Sequence, residues 1–149
     1  MRRTLGVLSV LLSLFFAADT LSAQDTGRDG ERGGTNGFQI GLNYPNPFNP
    51  ETTMPFVLGE ELFVDGQPAV VTIRIFNVLA QLVAYPTALS HPQGEGVVVD
   101  RLEYAQPGRY EAFWDGHDQM GRQVASGIYI MQMSVNGLRP RSRRIVVMK

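Results

Sequence analysis

The sequence predicts an all-β fold, a two-sheet sandwich of seven short strands. From Phe38 onward, aromatic and β-branched residues form short runs. Clusters of Gly, Pro, Asn or Asp separate these runs about every eight to twelve positions, as in sandwich domains. No window of this region has a helical period of apolar residues. The pattern therefore argues against a helical or mixed fold.

Alternation and composition define the first four strands. Val71, Ile73 and Ile75 occupy every second position of one segment, which predicts a strand with one buried face. The other three segments contain β-forming residues and have turn residues near their ends. The four predicted strands are Thr52–Leu58, Ala69–Asn77, Gln81–Thr87 and Val97–Tyr104.

Three more strands complete the two sheets. They are Arg109–Trp114, Gly127–Val135 and Arg141–Met148. Trp114 has the inward parity of its strand, so it is predicted to be a core tryptophan. The last strand is continuously apolar at Ile145–Met148, which leaves its inward face unassigned. Asn136-Gly137, between the last two strands, predicts a tight two-residue hairpin turn.

The N-terminal residues have the features of a targeting segment. Arg2 and Arg3 precede the apolar run Leu5–Ala18, and small residues follow before Gln24, which resembles a secretory signal peptide. We therefore predict a cleaved signal peptide at 1–23, a flexible leader without apolar residues at 24–37, and the sandwich at 38–149. Because a membrane span needs roughly 20 apolar residues, no transmembrane span is predicted in the mature chain.

Composition argues against several kinds of partner and site. The 13 Lys+Arg and 14 Asp+Glu residues give a formal net charge of −1, which disfavours a nucleic-acid partner. The chain contains no cysteine. A disulfide framework, a Cys-ligated metal site and a thiol nucleophile are therefore excluded. No cofactor is predicted.

Four segments resemble one known family. They are LNYPNPFNPETTMPF (42–56), VTIRIFNVLAQLV (71–83), WDGHDQMGRQVASGIY (114–129) and RRIVVMK (143–149). In combination they resemble the C-terminal sorting domains of the Por (type IX) secretion system. These domains overlap in sequence with the immunoglobulin-like domain of the flagellar hook-cap protein FlgD. The resemblance covers about residues 42–149 and implies an immunoglobulin-like sandwich.

The resemblance also implies which residues carry sorting. The family's proline motif, its Gly-x-Tyr motif and its basic C-terminal strand fall on Tyr44, Pro45, Asn46, Pro47 and Phe48, on Gly127 and Tyr129, and on Arg143, Arg144 and Lys149. Export through the periplasm to the cell surface is implied, with recognition by an outer-membrane translocon or another component of the cell envelope. In this family the domain is often removed, and its carrier is attached to a surface glycolipid.

Two departures from the family pattern leave an alternative open. Ala80 stands where the family commonly has Gly, which predicts a turn without positive φ. Only the leader separates the signal peptide from the sandwich, so no cargo domain is expected in front of it. The alternative is an extracellular structural or adhesive domain that assembles with its own copies, with a protein partner or with glycan.

Candidate metal and catalytic groups are few. Asp115 and Asp118 lie in one loop with His117, but they supply fewer oxygens than the six to eight that Ca²⁺ takes. We predict that these carboxylates shape the turn and that no metal is bound. A triad of Ser126, His117 and Asp115 would lack a nucleophile elbow. His91 precedes Pro92 in a turn and is expected to be exposed. The sequence thus predicts a non-enzymatic protein.

Two surface features suggest partners. Phe76 and Phe113 have the outward parity of their strands and are expected to form an apolar patch of the kind that marks a partner surface. In addition, five basic residues and no acid lie in the last eleven positions. These cations either protect an edge strand against aggregation or form a docking strand, and the two interpretations are compatible.

Overall fold

The computed structural model describes residues 37–149, and these residues form two antiparallel sheets, as the sequence predicts. The first sheet has the strand order β1-β2-β7-β5, and the second has the order β4-β3-β8-β9, with β6 also paired to β3. The strands are β1 (Phe38–Ile40), β2 (Thr52–Leu58), β3 (Ala69–Asn77), β4 (Leu82–Ala84), β5 (Thr87–Ala88), β6 (Leu102–Tyr104), β7 (Gly108–Trp114), β8 (Gly127–Val135) and β9 (Arg141–Val147). The predicted signal peptide and nearly all of the predicted leader lie outside the described residues.

Alternation predicted the long strands well. β2, β3 and β8 have the predicted bounds, and β7 and β9 differ from the prediction by one residue each. Val71, Ile73 and Ile75 are fully buried between the sheets, as is Trp114. In β9, Ile145 and Val147 face the core, which settles the inward face that the sequence left open. Within the described part of the chain, no helix is long and apolar enough to span a membrane.

The predicted count of seven strands is wrong, since the described residues contain nine. The predicted strand Gln81–Thr87 is divided at Tyr85-Pro86 into β4, in the second sheet, and β5, in the first. Pro86 has no N–H for a ladder, and this is where the chain crosses between sheets. The predicted strand Val97–Tyr104 keeps only its last three residues because Arg101 has a positive φ of 51°.

The additional strand β1 was missed because it is short. It pairs with β2 from Phe38↔Leu58 to Ile40↔Phe56. The next residue, Gly41, donates its N–H to the Pro55 carbonyl at 2.8 Å. Pro55 has no N–H with which to return this bond, so the ladder ends there.

The two tight turns have different outcomes. Asn136 and Gly137 both have positive φ, 50° and 71°, and the Leu138 N–H closes the turn on the Val135 carbonyl at 2.8 Å. The tight turn at Asn136-Gly137 is therefore confirmed, but the two-residue hairpin is not, because β9 begins only at Arg141, which pairs with Met133. The prediction for Ala80 is wrong, because its φ is 58°. The Asn77 side chain imposes this conformation, since its Oδ1 accepts the N–H groups of Leu79 and Gln81, both at 3.0 Å.

Ala80→Gly should therefore stabilise the protein. Left-handed backbone costs a residue with a Cβ about 1–2 kcal/mol, and the extra entropy of an unfolded glycine offsets part of this gain. We expect the free energy of unfolding to rise by about 0.5–1 kcal/mol, measured by urea denaturation. Leu79→Gly is the control, because Leu79 is also exposed but is not in the positive-φ region. A loss of stability in Ala80→Gly would contradict the prediction.

An aromatic cluster fills the end of the sandwich opposite to this turn. Tyr104 lies edge-on to Phe56, Tyr110 and His91, with ring centroids 5.6, 4.5 and 4.9 Å away. His91 is buried, so the expectation that it is exposed is wrong. Besides the ring contact, its Nε2 is hydrogen-bonded to the Glu103 carbonyl at 2.9 Å, a tertiary contact that the turn sequence does not reveal.

Tyr104→Phe should make the protein more stable and less sensitive to alkali. The Tyr104 hydroxyl is buried without a hydrogen-bond partner among the described residues, so its removal should raise the free energy of unfolding by about 1 kcal/mol. Burial raises the pKa of Tyr104 from 10.0 to about 12. The folded state thus favours the neutral phenol, and this contribution is complete below pH 10 and is lost as the pH rises towards 12.

The measurement is urea denaturation at neutral pH and at several pH values between 10 and 12. The variant should lose less stability across this window than the parent protein does. Tyr85→Phe, which changes a half-buried tyrosine outside the cluster, provides the control. Parallel pH curves for the parent and Tyr104→Phe would show that the phenol does not govern alkaline unfolding.

Candidate functional site

A strap of residues, Tyr44–Pro50, joins the two sheets at one end of the sandwich. Tyr44 exchanges two backbone hydrogen bonds with Thr53 of the first sheet, both 2.9 Å long. Phe48 donates its N–H to the Val146 carbonyl at 3.0 Å and accepts the Met148 N–H at 2.9 Å, both from the end of the second sheet. The proline motif therefore covers the outer edge of β9 where that strand ends. We call this the strap end.

Asn43 holds the strap in place, although the sequence analysis did not single it out. Its side chain is buried, and Nδ2 donates to the Pro45 carbonyl at 3.1 Å and to Thr52 Oγ1 at 2.9 Å. The Thr52 hydroxyl donates to the same carbonyl at 3.0 Å. Pro45, which cannot enter a β-ladder through a nitrogen, is thus fixed through its oxygen. The signal in the sequence is an asparagine directly before a proline-rich run.

Aromatic rings connect the strap to the Gly-x-Tyr segment. Phe48 meets Trp114 edge to face at a centroid distance of 5.4 Å, and Trp114 meets Tyr129 in the same way at 5.6 Å. Trp114 donates its indole N–H to the His117 carbonyl at 2.9 Å, and the Tyr129 hydroxyl donates to the Ala125 carbonyl at 3.0 Å. The main cause of the raised pKa of Tyr129 is burial. The rings of Phe48, Trp114 and Tyr129 therefore have a structural role in the packing of this end.

The end of the chain completes this arrangement. Gly127 pairs with Val147 at the start of β8, and the Lys149 N–H donates to Ser126 Oγ at 3.1 Å. Because Phe48 binds the same stretch of β9 from its other side, the last residues lie between the strap and the Gly-x-Tyr segment. Three segments far apart in sequence thus meet at the strap end.

Not all of the predicted sorting residues lie at this contact. Pro45, Asn46 and Pro47 are exposed on the strap. The Tyr44 hydroxyl donates to the carboxylate of Glu111 on β7 of the first sheet. This hydrogen bond is the main cause of the raised pKa of Tyr44.

The basic strand has two kinds of arginine. Arg141 lies over the Phe38 ring, 5.4 Å from its centroid, and Arg143 donates to the Ile40 carbonyl at 3.0 Å. Both therefore reach from β9 to β1 and cover the open side between the sheets. Arg144 points outward and is exposed, and its side chain has no hydrogen bond or ion pair within residues 37–149. The geometry thus supports edge protection by the first two arginines and leaves Arg144 available to a partner.

The loop after Trp114 uses its carboxylates internally. Asp115 Oδ1 accepts the His117 N–H at 3.0 Å. Asp118 Oδ1 accepts the N–H groups of Met120 at 2.8 Å and Arg122 at 3.0 Å. The hydrogen bonds that the Arg122 backbone and side chain donate to the Asp118 carboxylate are the main reason that the pKa of Asp118 is lowered. No group of three or more potential metal ligands occurs in the part of the chain that the structure describes.

The structure corrects the predicted Phe76–Phe113 patch. Phe76 lies on β3 of the second sheet and Phe113 on β7 of the first, so their outward faces are on opposite sides of the sandwich. They cannot form one surface. Phe76 instead pairs with Ile130 of β8 and with Leu82 of β4, and the neighbouring Ile128 is exposed. The apolar surface around Phe76 therefore lies on the second sheet, separate from Phe113.

This apolar surface continues to two turns at the strap end. In the turn Asn77–Gln81, the side chains of Val78 and Leu79 are 70% and 75% exposed. In the turn Asp118–Arg122 of the loop after Trp114, Met120 is 77% exposed. A groove of about 680 Å³ lies between the turns, with Leu82, Gln119 and Tyr129 among its lining residues. The sequence does not reveal this groove, because the two turns that form it are distant along the chain. The strap end thus combines a hydrogen-bonded strap, the exposed cations Arg144 and Lys149, and a groove lined by both polar and apolar side chains.

Comparisons with known proteins do not assign a family or a function to the chain. No family model matches the chain, and no curated protein matches it. Among solved structures, the chain is similar to dimeric latent PorU from Porphyromonas gingivalis, with 17% sequence identity and a TM-score of 0.49. The similarity covers 74% of this chain and 9% of that chain, so this chain spans only a small part of PorU. At this level, the similarity assigns neither an activity nor a partner to the chain.

Proposed function

We propose that the protein is a non-enzymatic, immunoglobulin-like export module that is recognised at the strap end by an outer-membrane translocon or another component of the cell envelope. In this proposal the chain passes through the periplasm and acts at the cell surface or outside the cell. Its sequence resembles type IX sorting domains in the strap, in the Gly-x-Tyr segment and in the last strand. The proposal assigns these segments one shared role.

The observation that carries the proposal is the meeting of these segments. Phe48 of the strap is hydrogen-bonded to the backbone of Val146 and Met148, and its ring packs on Trp114, which packs on Tyr129. A partner that binds at this end would therefore contact a surface that forms only when the domain is folded. Such a surface suits a quality check before export, because an unfolded chain does not present it.

Arg144 and Lys149 supply the charge in this proposal. Both side chains are exposed, and neither is engaged in an ion pair within the described residues. Exposed cations accelerate the approach of an acidic partner, and salt weakens this attraction. The carboxylates and the histidine of the neighbouring loop are engaged in hydrogen bonds that shape the loop. We therefore assign the loop a structural role rather than a catalytic one.

The first experiment is mass spectrometry of the protein recovered from the medium and from the cell surface of its own host. The sorting proposal expects a chain that begins at Gln24 and whose C-terminal region is removed or replaced by a glycolipid. A surface chain that is intact to Lys149 would favour the alternative, in which the sandwich itself is the working product. Retention of the protein inside the cell would contradict both.

A pair of variants tests the role of the cations. Arg144→Ala combined with Lys149→Ala should reduce surface delivery several-fold while leaving the free energy of unfolding within about 0.5 kcal/mol, because both side chains are exposed. The matched control is Arg101→Ala combined with Arg139→Ala, which removes the same charge from exposed sites away from the strap. Equal delivery of the two double variants would refute recognition through Arg144 and Lys149.

The alternative is an extracellular structural or adhesive domain, and the exposed side chains of Val78, Leu79 and Met120 beside the groove favour it. A cluster of exposed apolar side chains, unlike a single one, is of the kind that marks a partner surface. Normal delivery of the Arg144→Ala and Lys149→Ala variant, together with loss of assembly after changes in the groove, would support this alternative over the sorting role.

A further inference from the structure

We propose that the outer face of the second sheet binds an acidic protein, whose carboxylates pair with the two outward arginines of this face, Arg74 and Arg144. The inference rests on the export proposal and makes its partner more specific, by naming a surface and a chemistry. The face adjoins the strap end, because the Val146 carbonyl, at its margin, accepts the Phe48 N–H of the strap.

Cross-strand pairing places the two arginines in neighbouring rows of this face. Arg74 of β3 pairs with Gln132 of β8. In the next row, Phe76 of β3 pairs with Ile130 of β8, which pairs with Arg144 of β9. At about 4.8 Å between strands and about 3.4 Å per residue, the two arginines lie about 12 Å apart along the sheet. This distance suits two separate carboxylates rather than one small anion.

Arg74 is a cation without a partner on its own molecule. The residue is half-buried, and its Nε is shielded from solvent. Among residues 37–149, this Nε has no hydrogen-bond partner and the side chain forms no ion pair. A buried N–H without an acceptor is costly, and an arginine pairs best with a carboxylate. A partner carboxylate would supply the acceptor that the fold does not.

Charge on this face has one sign near the strap end. Strands β3, β4, β8 and β9 contain no acidic residue, whereas Arg74 and Arg144 point outward from them. Acidic side chains lie towards the start of β3, where β6 contributes Glu103 and Asp100 approaches the Thr72 hydroxyl at 3.5 Å. A complementary partner therefore places its carboxylates opposite the two arginines.

Apolar side chains occupy the space between and beside the arginines. Ile128 and Leu82 are 43% and 39% exposed, and Phe76, Ile130 and Val146 are half-buried. The patch is continuous, because Ile128 pairs with Val146 and Phe76 pairs with Leu82. Aromatic residues and arginine are enriched in protein–protein interfaces, and an arginine among apolar neighbours is a common hot spot.

A protein fits this face better than a lipid surface does. Side chains that bind lipid reach into the acyl boundary, whereas Phe76, Ile130 and Val146 lie half-buried in a sheet. Recognition of anionic lipid also uses clusters of roughly four to eight cations, and this face presents Arg74 and Arg144. The flat apolar surface with two separated cations thus favours a protein surface of matching shape.

Arg74→Met tests the arginine before the partner is known. Methionine keeps an unbranched apolar stem and removes the unpaired N–H groups, so the urea midpoint should not fall. Delivery to the cell surface should nevertheless fall several-fold, because the partner carboxylate loses its pair. Arg139→Met removes the same charge from an exposed loop position and should change neither quantity. Unchanged delivery of Arg74→Met, or a lowered urea midpoint, would overturn the proposal.

Photo-cross-linking in the host then identifies the partner. A benzophenone side chain in place of Ser142, exposed at the margin of this face, should cross-link to an acidic segment of another protein. One in place of Gln39, exposed on the first sheet, should not. Arg74→Glu combined with Arg144→Glu should abolish the cross-link, and replacing the carboxylates of the cross-linked segment with lysine should restore it.

Other occupants of the face give different results. A cross-link to a second copy of the chain, a cross-link that survives the charge reversal, or Arg74-dependent cosedimentation of the purified protein with phosphatidylglycerol vesicles would each overturn the proposal. Retention of the parent protein inside the cell would contradict the export proposal. Normal delivery of Arg74→Met, beside reduced delivery of the variant with Arg144→Ala and Lys149→Ala, would contradict this inference alone.

Discussion

Phe48→Ala should lower the free energy of unfolding by about 3–5 kcal/mol, a large part of the total stability of a domain of this size. The Phe48 ring is fully buried and contacts Trp114 edge to face at 5.4 Å. Truncation removes this contact and leaves a cavity between the strap and the core, which the backbone cannot close without moving β9. Urea denaturation followed by tryptophan fluorescence measures both the stability and the environment of Trp114.

Two further variants separate the ring from the strap. Leu42→Ala removes an exposed apolar side chain just before the strap and should change stability by less than about 0.5 kcal/mol. Phe48→Leu keeps an apolar side chain in the site and should lose markedly less stability than Phe48→Ala. If Phe48→Ala costs less than about 1 kcal/mol, the strap does not depend on this ring, and the strap end would be far more loosely held than we describe.

Local patterns predicted the long strands because those strands have one buried face. Val71, Ile73 and Ile75 could be placed in the core from alternation alone, and Asn136-Gly137 could be placed in a tight turn because both residues tolerate positive φ. Such features depend on neighbours in sequence. They are therefore accessible without knowledge of the fold.

Tertiary contacts account for the errors. The burial of His91 depends on Tyr104, and the division of the third predicted strand depends on which sheet each half joins. The positive φ of Ala80 follows from hydrogen bonds to the Asn77 side chain, which composition does not show. In each case, a contact absent from the local pattern overrides the preference of the residue.

In the candidate site, too, local sequence identified the segments, whereas their contacts depend on the tertiary fold. The resemblance identified the strap, the Gly-x-Tyr segment and the basic strand as separate motifs. It did not show that Phe48 would bond to the backbone of Val146 and Met148, or that Arg143 would reach Ile40 while Arg144 remains exposed. The groove was missed for the same reason, because it lies between two turns that are distant in sequence.

Gly116→Ala should be about as disruptive as Phe48→Ala, with an expected loss of about 3–4 kcal/mol. Gly116 is buried with a φ of +74°, and an added Cβ would overlap the carbonyl oxygen of Pro50, the last residue of the strap. Since a backbone atom cannot move aside as a side-chain end can, either the strap or the loop must shift. We expect lower stability in urea and, in the host, reduced delivery to the surface.

Gly121→Ala isolates the cause of this loss. Gly121 has the same φ of +74°, but nothing lies within 4 Å of an added Cβ. The Gly121→Ala variant should therefore lose only the stability that positive φ costs a residue with a Cβ, about 1 kcal/mol. The difference between the two variants then measures the close approach of loop and strap, free of the shared cost of positive φ. Equal losses would mean that the strap yields easily at Pro50, and the strap end would then be a poor candidate for a surface that reports correct folding.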